Sequence, residues 1–308
     1  MSRKKGLKKL KYDVLYVVIK AMIDMICFMP RKSMIRLGGA IGKLVYAVMS
    51  GEREKTIRNL TIAYGNEKSP EEIKKMAKKV WENIGKNAID IIRYRNIQNL
   101  EDYKKIVKIE GVENLEAAYN SGKGVVGLVP HLGAFEMVGT MPFEMGYTVT
   151  IVGAALKDPR MNQLLVGNRT LRGAKYVERG QSTIKLVKAL KSGEIVFLLI
   201  DQDTQKVQNV FVDFYGKKAA TPIGATMLAQ RTGALVLPMA IRRMEDDTHL
   251  LTIKPAVELK TTGDQEKDMV NNTQILSNYL EDFIREAPEQ WVWMHERWKT
   301  RPEEELVS

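Results

Sequence analysis

The spacing of apolar and polar residues changes near residue 105. Before that point the apolar positions recur at helical intervals. From Pro70 to Tyr94 they fall at Ile73, Met76, Ala77, Val80, Ile84, Ala88 and Ile91, behind a start signal of Ser69 as N-cap, proline at the first position and acids in the first turn. A second apolar stretch, Met34 to Met49, carries glycines at 38, 39 and 42, small residues that let helices pack closely. Residues 1 to about 105 therefore predict a helical region, and the turn Ser121–Gly124 announces the change. Beyond it, short branched-rich apolar runs at Val125–Val129, Thr148–Val152, Ile195–Ile200 and Ala234–Ile241 predict buried strands. Between them, Ala134–Met145, Met161–Arg172, Thr183–Lys191 and Pro222–Arg231 predict helices, the last opened by a Thr-Pro cap. The run HLLTIKP near residue 250 adds an edge strand, and a last helix from Lys267 to Arg285 leads into the tail WVWMHERWKTRP. Alternation of this kind predicts an α/β fold, with a mainly parallel sheet covered by helices.

The N-terminus adds a different feature. Its first eleven residues hold six positive charges and no negative one, and an apolar segment from Tyr12 to Met29 follows, interrupted by Asp13, Lys20 and Asp24. No small-residue cleavage site marks it as a secretory signal. Two membrane readings stand: a marginal spanning helix, or an amphipathic helix lying in the interface with its basic run against anionic headgroups. The rival is a soluble helix packed on the core. The expected organisation is a membrane-anchoring segment at residues 1–50 and a main domain at 51–308, helical over 51–105 and α/β over 106–308.

Composition narrows the partners. Among 308 residues, 48 Lys and Arg face 37 Asp and Glu, for a net charge of +11, which favours a negatively charged partner. A single cysteine, Cys27, excludes an intrachain disulfide, and with only three histidines no metal site is expected. No GxxxxGK[ST] motif supports nucleotide chemistry. The basic residues are spread without interleaved aromatics, so nucleic acid is not an expected partner.

The candidate chemistry begins at VVGLVPHLGAFE, Val125–Glu136. A strand ending at His131, followed by a helix beginning near Gly133, sets a titratable base at the carboxyl edge of a sheet, where open α/β folds bind ligands. Glu136, one turn into that helix, can reach back to the imidazole and stabilise its protonated form, as the third member of a triad does. The plain alternative is a capping histidine and a solvent-facing glutamate. Asp201, Gln202 and Asp203 follow the strand EIVFLLI at the same edge, either as substrate-binding groups or as a capped turn. Arg169 and Arg172 offer forked contacts to phosphate or carboxylate, against the alternative of solvated surface arginines. The alternation of Trp291 and Trp293 indicates core packing first, and a groove for an amphipathic substrate second.

In sum these segments resemble the acyltransferases that add secondary acyl chains to lipid A, a branch of the glycerolipid-type acyltransferases with an H-x4-D/E signature. HLGAFE resembles the catalytic block, LKSGEIVFLLIDQD a strand with an Asp-based turn, VFVDFYGKKAATPIGATMLAQRTGALVLPM the segment after it, and PEQWVWMHERWKTRP the family's ending. The resemblance implies transfer of a fatty acyl chain from acyl carrier protein to a hydroxyl of a lipid A precursor or similar membrane glycolipid, without metal or cofactor, at the cytoplasmic face of a bacterial inner membrane. It implies His131 as general base with Glu136 as its partner, and Arg169, Asp201, Gln202 and Arg172 as substrate-binding or site-supporting residues. Direct attack on the thioester is expected, because neither a cysteine nor a GxSxG serine is available as nucleophile. The implied partners are acyl carrier protein, anionic membrane lipids and the glycolipid acceptor. The alternatives are a sister acyltransferase using acyl-CoA on another phospho- or glycolipid, and a non-enzymatic basic membrane-binding module.

Overall fold

The computed structural model describes residues 2–156, 158–171, 173–180 and 183–302. Four helices open the chain: α1 (Ser2–Phe28), α2 (Arg31–Val48), α3 (Ser50–Tyr64) and α4 (Pro70–Arg93). The capping box read at Ser69 is present, with the Ser69 side chain accepting from the Glu72 N–H and the Glu72 carboxylate returning to the Ser69 N–H. The glycines of α2 let two backbones touch. A Cβ at Gly42 would lie 2.0 Å from the Trp81 carbonyl oxygen on α4, and one at Gly38 would lie 2.5 Å from that of Gly85.

The α/β part then runs α5 (Leu100–Lys104), β1 (Val107–Glu110), α6 (Val112–Asn120), β2 (Val125–Leu128), α7 (Thr140–Glu144), β3 (Val149–Gly153), α8 (Pro159–Thr170), β4 (Lys175–Glu178), α9 (Thr183–Lys191) and β5 (Ile195–Leu198). It continues through β6 (Asn209–Phe214), β7 (Lys217–Pro222), α10 (Gly224–Thr232), β8 (Leu235–Arg243), β9 (His249–Ile253) and α11 (Gln265–Glu286). One sheet has the order β1-β9-β8-β2-β5-β3-β4. The block β8-β2-β5-β3-β4 is parallel throughout, β9 runs antiparallel to β8, and β1 runs parallel to β9. The expected mainly parallel sheet covered by helices is the observed one. Its two faces are separate cores. Val125, Val129, Ile195 and Phe197 pack with α6 and α7 on one face. Val126, Leu128, Val196 and Ile200 pack with α9, α10 and α11 on the other.

Several expected elements are corrected. The helix predicted over Ala134–Met145 is observed as a 3-10 turn at Phe135–Met137 followed by the short α7, after a left-handed Gly133 (φ +58°). The HLLTIKP strand is interior, because β1 pairs on its far side and is itself the edge. The Thr-Pro pair read as a helix start ends β7, and α10 begins at Gly224. The β6–β7 hairpin was not foreseen. It turns at Tyr215 (φ +55°) and Gly216 (φ +70°), two successive positive-φ residues as a two-residue hairpin loop requires.

No helix among the described residues is long and apolar enough to cross a membrane, so the spanning alternative for Tyr12–Met29 finds no support. Asp13, Lys20 and Asp24 dilute the run. The end of α1 is tied to α4: Arg93 donates to the carbonyls of Ile26 and Met29, and Ile26 joins Met34, Ile35 and Ile89 in a small core. The helical part is clamped to the sheet by a buried charge network. Asp90 on α4 accepts from Arg31 at 2.8 and 2.9 Å, from Arg243 at 2.8 Å and from His249 at 2.9 Å. Burial pushes the Asp90 carboxyl upward, but these donors outweigh it and hold it far below the usual carboxylate range.

Candidate active site

The register of the central strands brings the site together. Leu128 of β2 lies opposite Leu198 of β5, and three residues beyond each come His131 and Asp201. Asp201 is fully buried and receives three hydrogen bonds. Its Oδ2 accepts from the His131 backbone N–H and from the Trp291 indole N–H, both at 2.7 Å, and its Oδ1 lies 2.7 Å from His131 Nδ1. Burial raises the Asp201 pKa, yet the neighbouring His131 and the indole together hold it below the ordinary carboxylate value. An ionised carboxylate only accepts, so in the neutral imidazole Nδ1 carries the proton and Nε2 keeps the free lone pair.

The turn that delivers His131 requires glycine at 133. A Cβ there would lie 2.2 Å from the Ile241 carbonyl oxygen, and the Gly133 N–H donates to the Gln290 carbonyl at 3.1 Å. Gln290 is locked in turn by its side-chain amide, which bonds both the N–H (2.7 Å) and the carbonyl (2.8 Å) of Arg243. Trp291 is therefore a core residue, as its spacing indicated, and also a holder of Asp201, which its spacing did not indicate. It packs with Trp293, Phe214 and Tyr64 in an aromatic cluster beneath the site.

Glu136 is not the partner of the imidazole. Its two oxygens are taken by a forked pair from Arg169 on α8, Nε to Oε2 at 2.8 Å and Nη2 to Oε1. Burial works against the Arg169 charge, and the Glu136 carboxylate overcomes it, so the guanidinium pKa is raised. The reason lies in the broken helix: with the chain in a 3-10 turn at Phe135–Met137, Glu136 meets α8 instead of turning back. Asp203 holds the tail through the Thr300 N–H (2.7 Å) and hydroxyl (2.9 Å). Arg172 lies outside the described residues.

His131, Glu136, Arg169 and Gln202 all line one cavity of about 830 Å³, within the usual range of about 300–1,000 Å³ for small-molecule sites. The cavity straddles the carboxyl edge of the sheet. Among its lining residues, Val138, Ile151 and Phe197 belong to the core on one sheet face, with Gly139 beside them, and Leu186, Met227 and Leu228 to the core on the other. Arg179, Lys206 and Arg231 add positive charge around it. An apolar cavity with a base and a charged pair is suited to long hydrocarbon beside a polar reacting group.

The sequence profile described as bacterial lipid A biosynthesis acyltransferase matches residues 1–300. The chain belongs to this family. It is 28% identical to the lipid A biosynthesis lauroyltransferase of Escherichia coli K12 over 89% of this chain and 88% of that protein. It is 26% identical to the palmitoleoyltransferase of the same strain over 94% of this chain and 90% of the relative. A phosphatidylinositol mannoside acyltransferase of Mycobacterium tuberculosis is 28% identical over 62% of this chain and 59% of its own length. The protein is thus an acyltransferase of the lipid A family, with its candidate machinery at the β2 and β5 strand ends.

This geometry predicts the effect of removing the Asp201 charge. In Asp201→Asn the carboxamide no longer enforces the Nδ1–H tautomer, and turnover should fall by about 10³–10⁴-fold with the fold retained. Steady-state rates together with circular dichroism check this, and a folded Asp201→Asn protein with wild-type turnover would exclude the assignment.

Proposed function

We propose that this acyltransferase moves a fatty acyl chain from an acyl carrier protein thioester to a hydroxyl of a lipid A precursor or similar membrane glycolipid. The observation that carries the reading is the His131 imidazole, held at Nδ1 by buried Asp201 while the ring borders an apolar cavity. In the proposed step Nε2 removes the proton of the acceptor hydroxyl as its oxygen attacks the thioester carbonyl. The C–O bond forms, the C–S bond breaks, and the departing thiolate takes the proton from the imidazolium. Asp201 stabilises that imidazolium in passing, and the Glu136–Arg169 pair is held in the lining of the same cavity. General-base assistance of this kind is worth about 10²- to 10⁴-fold in rate.

Charge and surface support the setting. A net charge of +11 suits both an acidic carrier protein and an anionic phosphoglycolipid. On α2, Leu37, Ile41, Leu44 and Val48 form an exposed apolar stripe, and Val14, Val17 and Val18 expose another on α1. We assign these two helices to the membrane interface at the cytoplasmic face of a bacterial inner membrane, as a monotopic anchor. The mannoside acyltransferase relatives favour a second acceptor class, a mannosylated phospholipid.

A donor-by-acceptor panel tests the proposal. Purified protein on anionic vesicles is given acyl carrier protein or CoA thioesters with each glycolipid class, and ester products are read by mass spectrometry. Product should form from the carrier-protein donor on a lipid A precursor, and His131→Ala should lose at least about 10²-fold while remaining folded. Full activity in His131→Ala would refute the general base, and product from CoA alone would refute the donor. In the same preparations Leu44→Glu with Val48→Glu should weaken vesicle co-sedimentation; unchanged binding would refute the interfacial anchor.

A further inference from the structure

Phe197 on β5 lies between two glycines that use their missing side chains differently. At Gly127 on β2 the ring is pressed against the backbone: a Cβ there would lie 2.5 Å from both Cδ1 and Cε1 of Phe197. That contact fixes the ring. On its other edge stands Gly139, at the start of α7, where a Cβ would lie 3.6 Å from Phe197 Cε2, 3.7 Å from Cδ2 and 3.8 Å from Ile151 Cδ1. These are ordinary van der Waals distances. Nor does the backbone demand glycine, because Gly139 has φ −70° and ψ −11°, the right-handed helical region open to every L residue. Neither close approach nor dihedral angle explains a glycine here. What its missing side chain leaves is room in the cavity that Gly139, Ile151 and Phe197 wall together with His131.

The two sets of lining residues differ in their relation to the base. Val129, Phe135 and Val138, on the segment that carries His131, belong to the sheet face of Gly139, Ile151 and Phe197, and the Phe135 ring meets the His131 ring edge-on at 4.9 Å. Met227 and Leu228, on α10, belong to the opposite face, packed with α9. A chain whose carbonyl carbon sits beside His131 therefore runs most directly along Val129, Phe135 and Val138 toward Gly139.

We propose that Gly139, backed by Phe197 and Ile151, sets the length of acyl chain that the enzyme transfers, by leaving open the space that a side chain would fill. The proposal rests on the acyl-transfer reading above and deepens it. Side chains added at 139 shorten the accepted chain, and removal of bulk at Ile151 lengthens it.

The test uses the full chain with an equimolar series of straight-chain acyl thioesters and the acceptor that the wild type uses, with product chain lengths read by mass spectrometry. Gly139→Ala should move the optimum toward shorter chains. Gly139→Leu should move it by about two carbons and lower the rate with the wild-type optimum by at least about tenfold, since one methylene too many in a filled apolar pocket costs about that much. Ile151→Ala should move the optimum the other way, which keeps the test decisive if Gly139→Leu does not fold. Met227→Trp, on the opposite sheet face, should leave the optimum where it is. An active wild type whose optimum is shared by Gly139→Ala and Ile151→Ala overturns the inference alone, as does a shift produced by Met227→Trp and by neither of them. A wild type that transfers no chain from any thioester overturns the acyl-transfer reading and this inference with it.

Discussion

The Asp201 carboxylate is the constraint on which the site depends. A carboxylate buried in apolar surroundings is expensive unless its oxygens are fully engaged. Here three donors engage it: the His131 backbone, the His131 ring and the Trp291 indole. They come from two segments some 160 residues apart in the chain. Meeting one charge thus ties the end of β2, the end of β5 and the C-terminal tail into one geometry. The same charge selects the imidazole tautomer, so a stabilising requirement and, in the proposed mechanism, a catalytic one are met by the same atoms.

The other charges divide the labour. Glu136 is neutralised by Arg169, so it adds no second negative charge to the imidazole, and the pair lines the same cavity. The Asp90 network clamps α2 and α4 to β8 and β9. Through Arg243 it reaches Gln290, whose carbonyl receives the Gly133 N–H. The helices with exposed apolar stripes are therefore mechanically continuous with the turn that carries His131. In the proposed setting, this continuity fixes the cavity relative to the lipid surface.

Much of this was legible in the sequence because it follows from local periodicity. The β2, β3, β5 and β8 runs are short and branched, the capping box at Ser69 is explicit, and His131 and Asp201 each follow an apolar strand. The pairing within the site was not legible. H-x4-E spacing drew Glu136 to His131, whereas the left-handed Gly133 and the 3-10 turn after it send Glu136 to Arg169. Trp291 carried no signal of its role, since an indole that reaches Asp201 across 90 positions is set by packing alone. The hairpin β6–β7 escaped because Tyr215 occupies a positive-φ site where Asn or Gly is the usual marker. Strands β1 and β4 are four residues each and too polar to stand out.

The central claim is that Asp201 holds His131 with its proton on Nδ1 and its lone pair on Nε2. Nitrogen-15 spectroscopy of histidine-labelled protein measures this directly, and with three histidines in the chain the His131 signal is assigned by its loss in His131→Gln. The account predicts that the neutral His131 ring shows a protonated Nδ1 and an unprotonated Nε2, and that Asp201→Asn abolishes this preference. A His131 ring protonated at Nε2 and bare at Nδ1 in the wild type would contradict it.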